Sequence, residues 1–480
     1  MLAELGIAAP VGLPAGITGI TADSRQVRPG MVYAALPGVR ADGRDYIGQA
    51  VAGGAVAVLT LPGTTWPDGV PARPMILDAQ PRRALARLAA LHAGPQPRTV
   101  VAVTGTNGKT STAEFVRQLQ AMAGRRAASL GTLGLVGPDG ATGPGLTTPG
   151  LTTPDPVTLA ETLAGLARDG VEAVALEASS HGLEQCRLDG VRLAAAGFTN
   201  LTRDHLDYHG TMDAYRAAKL RLFSAVLPWD APAVVCADLE PVLLGTLSEM
   251  LGPRLHTVGE GGRLIRLISA RPVPGGQVLD VEFAGGSREI RLRLPGRFQA
   301  DNALLAAGLA LVTGTDAALD LLPGLRGVRG RMELAAVLPN GAAVYVDYAH
   351  TPDALDRLLR ALRPHTRDRL HVVFGAGGDR DPGKRPLMGA AAALADRLIV
   401  TDDNPRMEDA ACIRAAVLVG CPGALEIGDR AAAIAAALND LGPGDVLAVA
   451  GKGHEQGQIV GTETLPFDDV SVVRGLVGLA

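Results

Sequence analysis

The sequence predicts an α/β protein of three domains, and three observations support this. A length of 480 residues is more than one hydrophobic core usually serves. Over most of the chain, apolar β-type runs alternate with helical stretches, which is typical of parallel sheets covered by helices. Proline- and glycine-rich breaks near residues 94–97 and 327–331 interrupt this alternation. The predicted domains are therefore residues 1–95, 96–328 and 329–480.

The predicted elements follow in chain order. The first domain has short strands and one or two helices, and it closes with an Ala/Leu/Arg-rich helix near residues 81–92. Apolar runs predict strands of the second domain at 99–104, 171–176, 194–198 and 233–236. A β-rich passage over 264–294, with turns at 274–276 and 285–286, then precedes a helix beginning near Asp301. Four further strands are predicted in the third domain, at 343–346, 370–374, 397–401 and 446–450.

Charge and composition exclude several classes of protein. The 45 basic and 49 acidic residues give a net charge of −4 without long runs of one sign, which argues against binding to nucleic acid or anionic membranes. The four cysteines form no C-x-x-C pair, so neither a disulfide framework nor a zinc site is indicated. No apolar run approaches the ~20 residues of a membrane-spanning helix. We expect a cytoplasmic protein without membrane insertion.

The most informative motif is a glycine-rich turn between the strand at 99–104 and a helix. Its residues are Gly105, Thr106, Asn107, Gly108, Lys109, Thr110 and Ser111. Backbone N–H groups of such a turn surround phosphate oxygens, the lysine reaches the β- and γ-phosphates, and the threonine hydroxyl ligates Mg²⁺. Val103 stands where the common pattern has its first glycine. An ordinary strand–helix turn with a surface lysine is the alternative, but the order of strand, glycines, Lys-Thr and helix favours nucleotide binding.

Polar loops follow directly after each predicted strand of the third domain. They are residues 347–350, 375–380, 402–406 and 451–455. Because ligands of open parallel sheets bind outside the carboxyl ends of the strands, four such loops indicate a binding site. Helix capping by an aspartate would explain any one loop taken alone.

Two features of the second domain suggest a metal. Glu177 ends a strand, where a carboxylate of a phosphate-binding domain is placed to hold Mg²⁺, although an N-cap or a structural ion pair would also explain it. The loop 199–209 is dense in Asp and His and includes His205. Spacing alone does not separate zinc from magnesium here, but the nearby phosphate loop favours magnesium. Lys219, by contrast, would be a solvated lysine if judged by composition alone.

In this order, these residues resemble the Mur ligases, ATP-dependent enzymes that form amide bonds in bacterial peptidoglycan assembly. The resemblance extends over nearly the whole chain and is greatest to the branch that adds a diamino acid to a UDP-N-acetylmuramoyl dipeptide. It rests on the motifs at residues 23–25, 42–43, 104–110, 152–155, 177–183, 200–209, 218–219, 302, 330–331, 347–352, 377–386, 403–406 and 451–455.

The resemblance implies an α/β N-terminal domain that binds uridine, a central ATPase-like parallel sheet with the phosphate loop, and a Rossmann-like C-terminal domain. It implies these contacts with the UDP-linked substrate: Ser24, Thr152, Thr153, Ser179, Gln185 and Arg187. A Gly-Leu-Thr-Thr-Pro sequence occurs twice, at 145–149 and 150–154, and we assign the contact to the second copy because Asp155 follows it as in the family.

The same resemblance implies how the nucleotide and metals are held. Asn302, Arg331 and Asp347 match positions that hold adenine, phosphate and ribose. Thr110, Glu177 and His205 match Mg²⁺ ligands, and Lys219 matches a lysine that the family carbamylates to N6-carboxylysine, which ligates a second Mg²⁺. Lys109 would neutralise charge during phosphoryl transfer.

The resemblance also implies an amino-acid pocket. Its residues are Arg380, Asp403, Asn404, Arg406, Gly451 and Glu455. The Asp-Asn-Pro-Arg motif at 403–406 is the form found in most enzymes that add meso-diaminopimelate, whose distal carboxylate a guanidinium can bind with two hydrogen bonds. L-lysine and L-ornithine stay open as alternative substrates, and a non-catalytic nucleotide-binding regulator is a remote alternative. We expect only small-molecule partners and a monomer.

Overall fold

The computed structural model describes residues 2–14, 16–38, 41–141, 151–273 and 275–479, and it confirms the predicted α/β class. The chain forms two compact units, one made of Met1–Ile265 with Leu304–Ala318 and the other of Arg266–Ala303 with Leu319–Ala480. The copy of the repeated sequence at 145–149 and the turn residue Pro274 lie outside the described residues.

The first unit begins with a parallel sheet, whose strands in spatial order are Gly19–Thr21, Met31–Ala34, Ala57–Thr60 and Met75–Leu77. The helices Ile47–Ala52 and Pro81–Ala93 accompany it. The helix Pro81–Ala93 buries Leu85 and Leu88 on one face, as the sequence pattern predicts.

A second, mostly parallel sheet of this unit carries the phosphate loop. Those of its strands that lie in this unit are, in spatial order, Leu255–Gly259, Ala233–Cys236, Ala195–Phe198, Thr99–Thr104, Ala173–Glu177, Ala127–Gly131 and the antiparallel Gly134–Val136. The helices are Lys109–Met122, Pro156–Arg168, Ser180–Glu184, Leu206–His209, Met212–Arg221 and Pro241–Leu251. Since Thr99–Thr104 lies between Ala195–Phe198 and Ala173–Glu177, the segments that follow these three strands meet at one edge.

Capping explains where the helix Pro156–Arg168 begins. The side chain of Asp155 accepts hydrogen bonds from the N–H groups of Val157 and Thr158, and Pro156 occupies the first turn, where its missing N–H costs nothing. This helix packs against Pro81–Ala93.

The chain enters the second unit within the strand Ile265–Val273, and the strands Gly276–Phe283 and Gly286–Leu292 follow, paired antiparallel. The next helix runs from Arg297 to Val312, so the prediction of a start near Asp301 was wrong, and from Leu304 onward this helix belongs to the first unit. Gly296, at φ +85°, turns the chain, and Arg297 pairs with Asp301 one turn later, so the helix begins directly after the turn. A short helix, Ala318–Leu321, comes next.

The main sheet of this unit has the strand order Glu333–Val337, Ala343–Asp347, Val446–Ala450, Leu370–Phe374, Arg397–Val400 and Leu425–Glu426. Its helices are Pro352–Leu362, Lys384–Ala392, Ala410–Leu418, Arg430–Asn439 and Asp469–Leu476. The strands Gly457–Val460 and Glu463–Pro466 form a separate antiparallel hairpin.

Helix Pro352–Leu362 shows how the sequence determines packing. Thr351 caps it by accepting from the N–H of Ala354, and its leucines recur every three or four residues, which places them on one buried face. They are Leu355, Leu358, Leu359 and Leu362.

Candidate functional site

The glycine-rich turn has the geometry of a phosphate-binding loop. Gly105 has φ +144°, and a Cβ atom there would collide with the hydroxyl of Thr199, so the position requires glycine. Thr199 Oγ1 donates to the carbonyl of Asn107 at 2.6 Å, and Asn200 Oδ1 accepts from the N–H of Asn107 at 3.0 Å. Gly108, also at positive φ, precedes the helix Lys109–Met122. The loop is therefore held open by the segment that follows the neighbouring strand.

Two lysines converge on this loop. Lys109 Nζ donates to the carbonyl oxygens of Gly105 and Thr106 at 3.0 and 2.8 Å, and Lys219 Nζ donates to the same Gly105 oxygen at 2.6 Å. Lys219 is 1% exposed and lies 4.4 Å from the centre of the Tyr215 ring. Burial, and then the nearby Lys109 ammonium, lower the pKa of Lys219 well below its ordinary value. The interpretation of Lys219 as a solvated lysine was wrong, because the helix Met212–Arg221 turns it into the protein.

Glu177 lies at the end of its strand and is buried. Its carboxylate accepts hydrogen bonds from the N–H of Thr132 at 2.8 Å and from the Thr132 hydroxyl at 3.1 Å. Thr110 is buried in the first turn of the helix after the phosphate loop. Within the described ranges, no three His, Cys, Asp or Glu side chains are grouped so that they alone could hold a metal ion.

His205 belongs to an aromatic cluster. It has a left-handed backbone at φ 52°, and its ring lies 5.1 Å from His181 and 6.1 Å from Tyr215. Tyr208 and His209 complete the cluster. Burial lowers the pKa of His205, so its imidazole is kept neutral, the form in which a histidine nitrogen can bind a metal.

Two of the six predicted substrate contacts line a cavity of about 580 Å³ in the first unit. Gln185 and Arg187 line it directly, together with Asp23 and Arg25. Arg187 Nη2 donates to Gln185 Oε1 at 2.8 Å, which orients both side chains. Ser24, which follows Asp23, donates to Gln49 Oε1 at 2.9 Å.

The threonines of the second Thr-Thr copy are tied to the central sheet. Thr153 is buried, and its hydroxyl donates to the carbonyl of Glu177 at 2.7 Å and lies 3.0 Å from Ser179 Oγ. The hydroxyl oxygen of Thr152 lies 3.3 Å from that of Thr132. Ser179 caps the helix Ser180–Glu184 by accepting from the N–H of Gly182. Thr153 and Ser179 thus have structural partners beside any contact with a ligand.

In the second unit, the residues predicted to hold a nucleotide lie close together. Asp347 Oδ2 accepts from the N–H of Met332 at 2.7 Å, and burial raises the pKa of Asp347 to about 6. The Arg331 guanidinium lies 4.7 Å from the centre of the Tyr348 ring. Asn302 Nδ2 donates to Gln299 Oε1, and Gln299 in turn donates to the Arg331 carbonyl.

The residues predicted to bind the amino acid lie in or near the loop 403–406. Asp403 is 7% exposed, and its Oδ2 is a buried oxygen that has no hydrogen-bond partner in the described part of the chain. Gly451 lies against this oxygen, and a side chain there would collide with it. Arg406 Nη1 donates to the carbonyl of Gly378 at 2.7 Å, and Arg380 is exposed beside the neighbouring Gly377.

A hydrogen-bond network orients Asn404 within this pocket. Its Oδ1 accepts from Lys452 Nζ at 3.0 Å and from the N–H of Ile459 at 2.9 Å, and its Nδ2 donates to Glu455 Oε2 at 2.9 Å. Sequence reasoning did not single out Lys452, although it lies between the predicted Gly451 and Glu455. Nor did it find Thr132, Tyr215 or Gln458, for which the sequence carries no separate signal.

Comparison with known proteins places these features in a family. Three family profiles match: one described as Mur ligase family, catalytic domain over residues 16–92, one as Mur ligase middle domain over 103–310, and one as Mur ligase, glutamate ligase domain over 330–453. The chain is 55% identical over 460 residues to the UDP-N-acetylmuramoyl-L-alanyl-D-glutamate–2,6-diaminopimelate ligase of Caulobacter vibrioides, covering 95% of this chain and 94% of that protein. The protein of the same name from Agrobacterium fabrum is 51% identical over 463 residues, covering 95% and 92%.

Solved structures give the same result. One described as a UDP-N-acetylmuramoyl-L-alanyl-D-glutamate–2,6-diaminopimelate ligase superimposes with a TM-score of 0.70 at 33% identity, covering 96% of this chain and 95% of that one. The MurF ligase of Thermotoga maritima, solved with ADP, has a TM-score of 0.64 at 20% identity, covering 95% and 96%, and shows similarity of fold.

None of the helices in the described residues combines the length and apolar content that a membrane crossing needs.

Proposed function

Since the chain belongs to the Mur ligase family, we propose that it uses ATP to add meso-diaminopimelate to UDP-N-acetylmuramoyl-L-alanyl-D-glutamate in peptidoglycan precursor synthesis. The observation that carries this proposal is the pocket around residues 403–406. It combines a guanidinium, an oriented amide and a buried carboxylate oxygen without a protein partner, which are the groups that a zwitterionic amino acid needs.

The reaction has two steps. A carboxylate resists attack by an amine, so the D-glutamate carboxylate first attacks the γ-phosphorus of ATP, which gives an acyl phosphate and ADP. The amino group of the diamino acid then attacks the acyl carbon, phosphate leaves with the bonding electrons, and the amine loses a proton. Lys109 stabilises the charge that develops on the phosphoryl oxygens, because the loop places its ammonium beside the phosphate-binding backbone.

The donor set of the first unit fits Mg²⁺. Thr110 and Glu177 would supply oxygen atoms, which Mg²⁺ prefers, and His205, whose pKa is lowered by burial, would supply a nitrogen. We assign these residues to the metal, which when bound neutralises phosphate charge and polarises the phosphorus–oxygen bonds. Thr132 holds the Glu177 carboxylate in place through two hydrogen bonds.

Lys219 has the properties of a lysine that reacts with CO₂. Carbamylation requires an unprotonated amine, and burial beside Lys109 favours that form. The product, N6-carboxylysine, would place a carboxylate where the neutral amine stood, and this carboxylate would attract the Lys109 ammonium and offer oxygen atoms to a second Mg²⁺. Carbamylation would thus give Lys109 a partner of opposite charge.

We assign the UDP-linked substrate to the cavity of the first unit. Gln185 and Arg187 line it, and Ser24 and Thr152 adjoin lining residues in the sequence. The hydroxyls of Thr153 and Ser179 lie 3.0 Å apart, and Thr153 follows Thr152 directly. In the second unit, Asn302, Arg331 and Asp347 are assigned to the nucleotide. We further propose three domains at 1–95, 96–328 and 329–480, and a monomer in the cytoplasm.

The test is release of phosphate by the purified protein with Mg-ATP and UDP-N-acetylmuramoyl-L-alanyl-D-glutamate. Parallel reactions contain meso-diaminopimelate, L-lysine, L-ornithine or no amine, and mass spectrometry identifies each product. We expect phosphate release only when both the carboxylate substrate and an amine are present, with strong preference for diaminopimelate. Preference for lysine or ornithine would overturn the assignment of the amino acid, and phosphate release that ignores both substrates would overturn the ligase assignment for this site.

A further inference from the structure

We propose that Lys452 and Gln458 are positioning residues that set the selectivity for the amino-acid substrate. Both act through the loop 403–406, and neither needs to contact the substrate itself. The inference rests on the proposed function and names residues that determine how well its amino-acid pocket is formed.

Lys452 fixes the orientation of the Asn404 amide. Its side chain is fully buried, and its ammonium donates to Asn404 Oδ1 at 3.0 Å and to Glu455 Oε2 at 3.3 Å. The N–H of Ile459 donates to the same Asn404 oxygen, while Asn404 Nδ2 donates to Glu455. A flipped amide would turn its NH₂ group toward the Lys452 ammonium and the N–H of Ile459, so both donors would lose this acceptor, which is costly in a buried site. Asn404 therefore offers a substrate only its remaining N–H.

Gln458 holds the backbone at the start of the loop. Its Nε2 donates to the carbonyl oxygen of Asp403 at 2.8 Å. Gln458 lies in the strand Gly457–Val460, whose partner strand is Glu463–Pro466, so the hairpin gives it a rigid base. This contact fixes the peptide that follows Asp403, the residue whose carboxylate has the buried oxygen without a protein partner.

The same hairpin holds the other end of the loop. The N–H of Arg406 donates to the Ile459 carbonyl at 3.0 Å, and the Arg406 carbonyl accepts from the N–H of Gly461 at 2.7 Å. Arg406 has φ 52°, a left-handed conformation that an arginine adopts only when its surroundings impose it. This backbone geometry directs the guanidinium to the carbonyl of Gly378.

The geometry of the loop matters because one end of the diamino acid carries both a carboxylate and an ammonium group, and each needs a protein group of the opposite charge. A carboxylate must meet Arg406 while an ammonium meets Asp403, and both contacts require the two side chains to be fixed relative to each other. Lys452 and Gln458 connect this loop to the segment 451–460, so loosening either contact lowers the fraction of protein in the binding geometry.

The experiment compares Lys452→Met and Gln458→Ala with the matched control Gln456→Ala, in which an exposed glutamine two residues away is removed. Steady-state kinetics are measured for diaminopimelate, ATP and the UDP-linked substrate. We expect KM for diaminopimelate to rise about tenfold in Lys452→Met and several-fold in Gln458→Ala, with the other two KM values within about twofold. The ratio of kcat/KM for diaminopimelate over L-lysine, which lacks the distal carboxylate, should fall in both variants and not in the control.

Two results would overturn the proposal. One is a set of KM values that rise equally for all three substrates, which indicates general loss of structure. The other is a diaminopimelate KM and a selectivity ratio in Gln458→Ala that match those of Gln456→Ala, and this second result decides the matter even if Lys452→Met does not fold. Absence of diamino-acid ligation by the wild-type protein would instead refute the proposed function, so the two failures are distinguishable.

Discussion

The side-chain nitrogens of Lys109 and Lys219 donate hydrogen bonds to one carbonyl oxygen, that of Gly105, at 3.0 and 2.6 Å. Two protonated lysines at such a site repel each other, and the buried one is the more costly to keep charged. We therefore expect different roles for them. Lys109 is the cation proposed to face phosphate, and Lys219, whose pKa burial holds well below its ordinary value, is the amine proposed to react with CO₂.

Removal of the Lys109 ammonium should abolish ligation and leave the fold intact. We expect Lys109→Ala to lower amine-dependent phosphate release by on the order of 10³-fold, because charge developing on the phosphoryl group loses its nearest ammonium. Circular dichroism should show an unchanged spectrum, since the lost hydrogen bonds to the loop carbonyls lie at a partly exposed site. Turnover near that of the wild type would refute the role of Lys109.

The side-chain amine of Lys219 should be carbamylated by CO₂. Native mass spectrometry at neutral pH should show a mass increase of one CO₂ in the wild-type protein that is missing in Lys219→Ala. The matched control is Lys384→Ala, since the pKa of Lys384 is also lowered by burial but its ammonium reaches the carbonyl of His350 at 3.4 Å. The adduct should persist in this control. Persistence of the adduct in Lys219→Ala would place the carbamate elsewhere.

The specificity of the pocket should depend on Arg406. We expect Arg406→Ala to raise KM for diaminopimelate by about 10- to 100-fold and KM for ATP by much less, since a charged hydrogen bond to the ligand is lost. Arg414→Ala is the control, because that guanidinium pairs with Glu426 and Asp402. Equal changes in both KM values would show that Arg406 does not contact the amino acid.

Breaking a buried ion pair should destabilise the second unit. Arg430 Nε and Nη2 donate to the two carboxylate oxygens of Asp469 at 2.8 and 2.7 Å, and both side chains are fully buried. We expect Arg430→Met to lower the free energy of unfolding by about 3–5 kcal/mol, because it leaves an unpaired buried carboxylate. The double variant Arg430→Met/Asp469→Leu should recover much of the loss in urea unfolding. A double variant no more stable than the single one would contradict this account.

Stability should fall in mild acid because of His454. Burial, followed by the nearby Arg331, lowers the pKa of His454 from 6.5 to about 3. As pH falls below 6.5, His454 takes up a proton in the unfolded chain but stays neutral in the folded protein. The free energy of unfolding is therefore highest above pH 6.5 and decreases as pH falls toward 3. Between pH 7.5 and 5, the wild type should lose about 2 kcal/mol more than His454→Gln in urea unfolding. Parallel pH profiles for the two proteins would show that His454 does not titrate in this way.

The main strands were predictable because buried parallel strands are continuous apolar runs. Thr99–Thr104, Ala233–Cys236, Leu370–Phe374 and Val446–Ala450 have the predicted bounds. The strand Glu333–Val337 was missed because it lies at a sheet edge and exposes Leu334 and Val337, so its apolar residues show neither alternation nor a buried run.

The individual site residues were predictable where a local motif carries the chemistry. The phosphate loop is such a case, since its strand, turn and helix are contiguous. The burial of Lys219 could not be predicted from a local motif, because it depends on a hydrogen bond to Gly105, which is 114 residues away in sequence. The partners of Asn404 likewise come from the distant segment 452–459, so no spacing rule applied near residue 404 could have found Lys452 or Gln458.

The strand order of the C-terminal sheet has a consequence for synthesis of the protein. Val446–Ala450 pairs with both Ala343–Asp347 and Leu370–Phe374, although it is made long after them. Until it emerges from the ribosome, these two earlier strands have no common neighbour, and each presents an unpaired apolar edge. The proposed amino-acid pocket includes Gly451 and Glu455, which follow Val446–Ala450, so it cannot be complete before this strand has emerged. We expect ribosome-bound chains that stop before residue 446 to depend on chaperones and to lack the pocket.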